Sequence, residues 1–175
     1  MAYTRDQATE VHKDYQETVN NWEYYIRSYN GGYDYMTGQY LNRYNLELDN
    51  EFNQRLANTP CDNHCKNIIQ IYSSFLFRVR PSRDFGSLAE EPSLESFLKD
   101  ADLEGNNLNS VIKQAQNYAS IYGHCFMILD KPNVTTNTRA EELDQDIRPY
   151  LSIVTPENVL DWNFERQLNG KYELN

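Results

Sequence analysis

Residues 94–132 constrain the fold more than any other stretch. Within them Leu108, Val111, Ile112, Ala115, Ala119 and Tyr122 recur at the three- and four-residue spacings of one helical face, and Gly123 stops that helix. The run that follows, Cys125-Phe126-Met127-Ile128-Leu129, is continuously apolar, too short for an independent helix, and bounded by Gly123 and Pro132. Such a run predicts a central strand buried on both faces, with helix and strand packed together as the core. Upstream, Leu94, Phe97 and Leu98 mark a short helix capped by Ser93. Between the two helices the spacing predicts a turn in which Gly105 takes a positive φ and Asn106 or Asn107 caps the longer helix.

The flanking segments supply more helix than strand. Val11, Tyr15, Thr18, Trp22, Tyr25, Ile26 and Tyr29 trace an amphipathic helix over residues 4–28, closed by Asn30-Gly31-Gly32. Residues 33–44 mix tyrosine with Gly and Asn at no clean period. They read as an irregular arm lying on a surface or a neighbouring subunit, or as a loop whose tyrosines cover its own core. Thr59-Pro60 predicts the cap and first position of a second helix, with Asp62 in its first turn; its face of Cys65, Ile68, Ile69, Tyr72, Phe75 and Leu76 demands burial. Residues 78–92 read as a linker carrying a small basic cluster, Arg78, Arg80 and Arg83.

Beyond the central run, residues 140–147 predict a brief exposed helix and residues 148–154 a strand, followed by a single turn at Thr155-Pro156. Residues 159–165 alternate as a half-buried strand does, and Asn169-Gly170 is a hairpin signal. Because the sequence stops inside that hairpin, it is expected to be the N-terminal part of a longer polypeptide. The chain therefore reads as α+β: amphipathic helices on a small mixed or antiparallel sheet. An N-terminal helix and tyrosine-rich arm occupy residues 1–58, and an α+β core occupies residues 59–175.

A net charge of -10 argues against tight wrapping of nucleic acid, whose affinity comes from Lys and Arg that displace counterions. No apolar run approaches the roughly 20 residues that span a bilayer, and the first residues lack the apolar centre of a secretory signal. The expected compartment is a cytoplasm, with Cys61, Cys65 and Cys125 as free thiols.

Two stretches imitate metal sites. Cys61, His64 and Cys65 resemble half of a zinc site, but a structural zinc takes about four ligands, and the remaining pair, His124-Cys125, sits against the apolar strand. Asp100, Asp102, Glu104 and Gly105 resemble the opening of a calcium loop, yet the twelfth position, which should be Glu, is Val111. A helix-to-helix turn explains the second pattern and free thiols the first. There is no Gly-x-Ser-x-Gly elbow, phosphate-cradling loop or His-Glu-x-x-His, and His12, His64 and His124 belong to structural elements. Glu90-Glu91, Glu141-Glu142 and Asp144 with Asp146 read as solvated charge. No catalytic, cofactor-binding or metal residues are assigned, and the chain is not expected to be an enzyme.

Three stretches in order carry a resemblance. Residues 67–81 form a helix leading to a Phe-rich turn. Asp100, Asp102, Gly105 and Leu108 then open a helix that ends in Tyr122-Gly123, and the next strand closes in Asp130 and Pro132. Arg148-Pro149-Tyr150 finally precedes Pro156-Glu157-Asn158 and Asp161-Trp162. Over residues 67–165 this order resembles the N-terminal half of portal proteins, the head-tail connectors of tailed bacteriophages.

The resemblance implies a non-enzymatic structural protein: a wing-like α+β layer of a ring, typically a dodecamer, at one capsid vertex. Double-stranded DNA would pass through the ring during packaging and ejection without sequence-specific binding. The implied partners are other copies of the chain, the major capsid protein, the terminase and adaptor or tail proteins, with no membrane. The implied location is the virion, after assembly in the host cytoplasm. Stem and clip regions would lie beyond residue 175. A different class of reading is a small cytosolic metal- or calcium-binding interaction domain using Cys61, His64 and Cys65 or the turn from Asp100 to Glu104.

Overall fold

The computed structural model of the protein describes residues 11–38, 40–60, 62–134, 138–166 and 172–174. The fold is α+β, as the sequence predicts. Its residues gather into two compact units. One comprises the chain up to Lys66 together with residues from Pro156 onward, and the other spans Asn67–Thr155.

The first unit is built on helix α1, Lys13–Asn30. His12 caps it through Nδ1, which accepts from the Asp14 N–H at 3.1 Å. Trp22 is its buried residue, as the apolar stripe requires. Gly31 ends the helix at φ 68°, where its N–H donates to the Arg27 carbonyl at 2.8 Å. A Cβ there would lie 2.6 Å from Nδ2 of Asn63. That close approach matters because Asn63 donates to the Tyr29 carbonyl while its Oδ1 accepts from the Lys66 N–H at 2.9 Å. Asn63 is thus the cap of helix α4, His64–Leu76, docked on the end of α1.

This corrects the start expected at Thr59-Pro60. Thr59 instead closes helix α3, Asp49–Asn58, donating both its N–H and its hydroxyl to the Arg55 carbonyl. The tyrosine-rich segment is also more ordered than its irregular composition implied. It contains helix α2, Gly32–Thr37, whose Met36 is buried. The rings of Tyr35 and Tyr40 lie 6.3 and 4.7 Å from that of Tyr24 on α1, whereas Tyr33 and Tyr44 stay exposed. Arg55 orders the rest: it grips both Glu47 oxygens at 2.7 Å, donates to the Asn42 carbonyl at 2.8 Å and lies over the Tyr44 ring.

The chain returns to α1 at its far end. A single 3₁₀ turn at Pro156–Asn158, as expected, buries Pro156. The Tyr15 hydroxyl donates to the Glu157 carbonyl at 2.9 Å, the His12 N–H donates to the Leu160 carbonyl at 2.9 Å, and the His12 ring stacks on Trp162 at 4.1 Å. The strand expected over residues 159–165 shrinks accordingly to β3, Phe164–Arg166, because Leu160 spends its carbonyl on α1 rather than on a ladder. β3 pairs antiparallel with β4, Tyr172–Leu174; the Asn169-Gly170 turn lies outside the described residues.

The second unit is organised by helix α6, Leu108–Tyr122. Asn107 caps it, accepting from the Ser110 N–H at 3.1 Å, and Gly123 ends it at φ 90°. Val111, Ala115 and Tyr122 are buried, in accord with the stripe, and so is Ile121, which the stripe does not include. α6 packs on helix α5, Pro92–Lys99, and on strand β2, Tyr150–Val154. α5 begins one position before the expected Ser93 cap, with Pro92 at its first turn and Glu91 as cap. A 3₁₀ turn at Gly86–Glu90 interrupts the expected linker, and Arg83 of the basic cluster donates to Asn109 Oδ1 at 2.7 Å. A short helix α7, Arg139–Asp144, precedes β2.

β1, Phe126–Asp130, is an antiparallel partner of β2, with Phe126 facing Val154 and Asp130 facing Tyr150. It is not a central strand. Among the described residues the sheet has two strands, and Met127, Ile128 and Leu129 are 44%, 50% and 64% exposed. A continuous apolar run fixed the strand but not its burial, because α6 packs on β2 and leaves the side chains of β1 in solvent.

Candidate assembly surface

Helix α4 presents the largest departure from a self-contained fold. Ile68, Ile71, Tyr72 and Phe75 fall on one face by their spacing, and all are exposed, Phe75 to 70%. Ser73, on the other side of the helix, is the buried residue, with a hydroxyl that lacks a hydrogen-bond partner among the described residues. The expected burial of the α4 face is therefore not met: Cys65, Ile68, Tyr72, Phe75 and Leu76 are exposed, and of that face only Ile69 is half-buried. Leu76 and Val79 extend the exposed patch, and Arg78 and Arg80 follow it, exposed. A row of exposed apolar side chains of this kind is a candidate contact surface.

A second apolar surface is concave. Leu88, Leu94, Phe97, Leu129 and Pro149 line a groove of about 560 Å³ between α5, β1 and the start of β2. An adjoining hollow shares Glu91 and Leu94 and adds Glu90 and Glu95, so the rim is acidic. Neither surface was legible as such from the sequence, although the apolar residues of both were.

The acidic turn from Asp100 to Asn106 is knit together by hydrogen bonds. Asp100 Oδ1 accepts from the Gly105 N–H at 2.9 Å. Asp102 Oδ1 accepts from the Glu104 and Asn106 N–H groups at 3.0 and 3.1 Å, and its Oδ2 accepts from the Asn106 side chain at 2.7 Å. Burial pushes the Asp102 carboxyl up, but these donors outweigh it and hold the group below the usual carboxylate range. Gly105 takes the expected positive φ, 92°. Ala101, wholly buried, donates to the Asn106 carbonyl and accepts from the Leu151 N–H, both at 2.7 Å, which ties the turn to β2.

Arg148 completes the arrangement. It is 4% exposed, donates to the Asp100 carbonyl, and reaches Asp100 Oδ2 at 2.8 Å and Asp146 Oδ1 at 2.9 Å. Asp146 is thus structural rather than merely solvated, and Glu142 likewise pairs with Lys131 at 2.7 Å. Nothing in the local sequence announces either partnership.

The remaining chemical candidates are dispersed. Cys61 lies outside the described residues, and His64 and Cys65 are exposed at the start of α4. Among the described residues no group of three or more His, Cys, Asp or Glu is placed to hold a metal ion. The Cys125 thiol donates to the Ala115 carbonyl at 3.3 Å, and burial pushes its pKa up, away from nucleophilic use. The His124 ring meets Phe126 edge-on at 5.4 Å. No helix of the described residues is long and apolar enough to cross a membrane.

The arrangement offers two apolar surfaces: an exposed helix face followed by two arginines, and a groove rimmed by glutamates. Compared with known proteins, the chain matches no family model and no curated protein sequence.

Proposed function

We propose that this chain is a structural assembly module, the wing-like part of a portal subunit that forms a ring at the capsid vertex of a tailed phage. It acts through interfaces with other copies and with capsid, terminase and tail proteins, and it performs no catalysis. The observation that carries the assembly role is the outward-facing stripe of α4. A helix that buries Ser73 and exposes Ile68, Ile71, Tyr72 and Phe75 gains free energy when another surface covers that stripe.

The portal assignment rests on the ordered resemblance of residues 67–165. It draws support from the way those residues serve the fold. Asp100, Gly105 and Arg148 form one hydrogen-bonded knot, Tyr150 donates to Asp130 Oδ2 at 3.3 Å, and Trp162 stacks on His12. Each of these residues thus holds a specific partner in the fold. The acidic chain suits a conduit past which DNA slides.

The test is electron microscopy of the longest natural form of the polypeptide, with its mass in solution. Rings with a central hole are expected. A well-folded full-length monomer would remove the portal reading.

A further inference from the structure

We propose that the exposed face of α4 in one copy docks into the groove between α5 and β1 of a second copy, as a head-to-tail contact. The inference rests on the assembly role above in taking a second copy as the occupant. Its geometry stands on the two surfaces themselves, which lie within the same unit of the chain.

The two surfaces match in three respects. The first is size: α4 offers an exposed row of large side chains, Ile71, Tyr72 and Phe75, and the groove of about 560 Å³ is large enough to take one or two of them. The second is polarity, since Leu88, Leu94, Phe97 and Leu129 line most of the groove and the helix row is apolar but for the Tyr72 hydroxyl. The third is charge. Arg78 and Arg80 have no ion-pair partner among the described residues, and the groove rim carries Glu90, Glu91 and Glu95, the last also bonded to Lys99 at 2.7 Å on the exposed side of α5. In a chain of net charge -10, copies repel one another overall, so an interface between them needs a local basic element. The arginines at the end of α4 supply it.

A second copy is favoured over a foreign protein because one chain carries both halves. Each copy offers one helix face and one groove, so every contact made satisfies one of each. A contact of this type is heterologous and propagates from copy to copy, closing into a ring where the rotation allows. Aromatic side chains seated in a desolvated pocket, with charged pairs at the rim, are the composition of an energetic centre.

Charge reversal tests the proposal on the whole chain. One variant carries Arg78→Glu and Arg80→Glu, a second carries Glu90→Lys and Glu95→Lys, and a third combines all four. Self-association is followed by sedimentation over a range of concentration and salt. All these side chains are at the surface, and unchanged melting curves establish that each variant is folded. Each two-site variant should self-associate about tenfold or more weakly than the original chain, as reversal of interfacial charge does. The four-site variant should recover, and so should an equimolar mixture of the first two, in which every contact is again between opposite charges.

Association of the two-site variants equal to that of the original chain overturns the interface. So does loss without recovery, which would mean that another partner or surface is involved, and so does an original chain that stays monomeric. Rings seen by microscopy in every variant would discard this contact and leave the portal reading intact. Charge-dependent association without rings would keep the contact and discard the portal.

Discussion

Arg148 reaches Asp100 across 48 residues of sequence, with Nη2 2.8 Å from Oδ2 and a further hydrogen bond to the Asp100 carbonyl. This pair fastens the turn that starts α6 to the residues that enter β2. Arginine rather than lysine serves here because its fork addresses a carbonyl and two carboxylates at fixed angles, which a single ammonium does not.

Replacing Arg148 by Met should therefore cost about 2–4 kcal/mol, since it leaves the Asp100 carbonyl and carboxylate without their charged donor in a largely buried site. Arg148→Lys should recover less than half of that loss. Denaturant titration of the three proteins checks both statements, and a Lys variant as stable as the original would show that charge alone suffices.

Gly105 holds φ 92° with open space where a Cβ would be, so a substitution there meets backbone strain and no clash. Gly105→Ala should lose about 1 kcal/mol and Gly105→Val about 1–3 kcal/mol, the branched side chain being worse at positive φ. Melting temperatures in that order support the turn; an unchanged value for the Val variant would mean that the turn relaxes freely.

Ile128 offers a contrast. In a strand buried on both faces a charge at this position would abolish folding, but Ile128 is 50% exposed on a strand with one neighbour. Ile128→Lys should leave a soluble, native-like protein within about 1 kcal/mol of the original. A circular dichroism melt decides the matter, and an unfolded variant would return β1 to the core.

Glu47 supplies a pH dependence. The Arg55 side chain, through its hydrogen bonds and charge, holds the Glu47 carboxyl at about 2 instead of the ordinary 4.5, against a smaller opposing effect of burial. A carboxyl depressed in the folded state contributes stability that is complete above 4.5 and is lost as pH falls toward about 2. The stability difference between the original chain and Glu47→Gln should thus be constant from neutral pH down to about 5 and shrink below it. A difference that does not change down to pH 2 would mean that Arg55 does not hold this carboxylate.

What the sequence determined by itself was local. The spacing of Val111, Ala115 and Tyr122, the cap at Asn107 and the stop at Gly123 fixed α6, because helix periodicity and terminal hydrogen bonding are properties of neighbouring residues. The turns at Gly105 and Pro156 were legible for the same reason. The start of α4 was not: Thr59-Pro60 carries every local mark of a helix opening, and the Asn63 cap prevails through its contact with Tyr29 on α1.

Only the tertiary structure decided which apolar residues are covered. The stripes on α4 and in β1 look, as sequence, like those on α1 and α6, yet they remain in solvent. Hydrophobicity states that a face gains by burial and does not state against what. Here α6 covers β2, and most of the apolar side chains of α4 and β1 stay exposed. The pairings of Arg148 with Asp100 and of Tyr15 with Glu157 were hidden likewise, because contacts across 48 and 142 residues depend on where the chain returns.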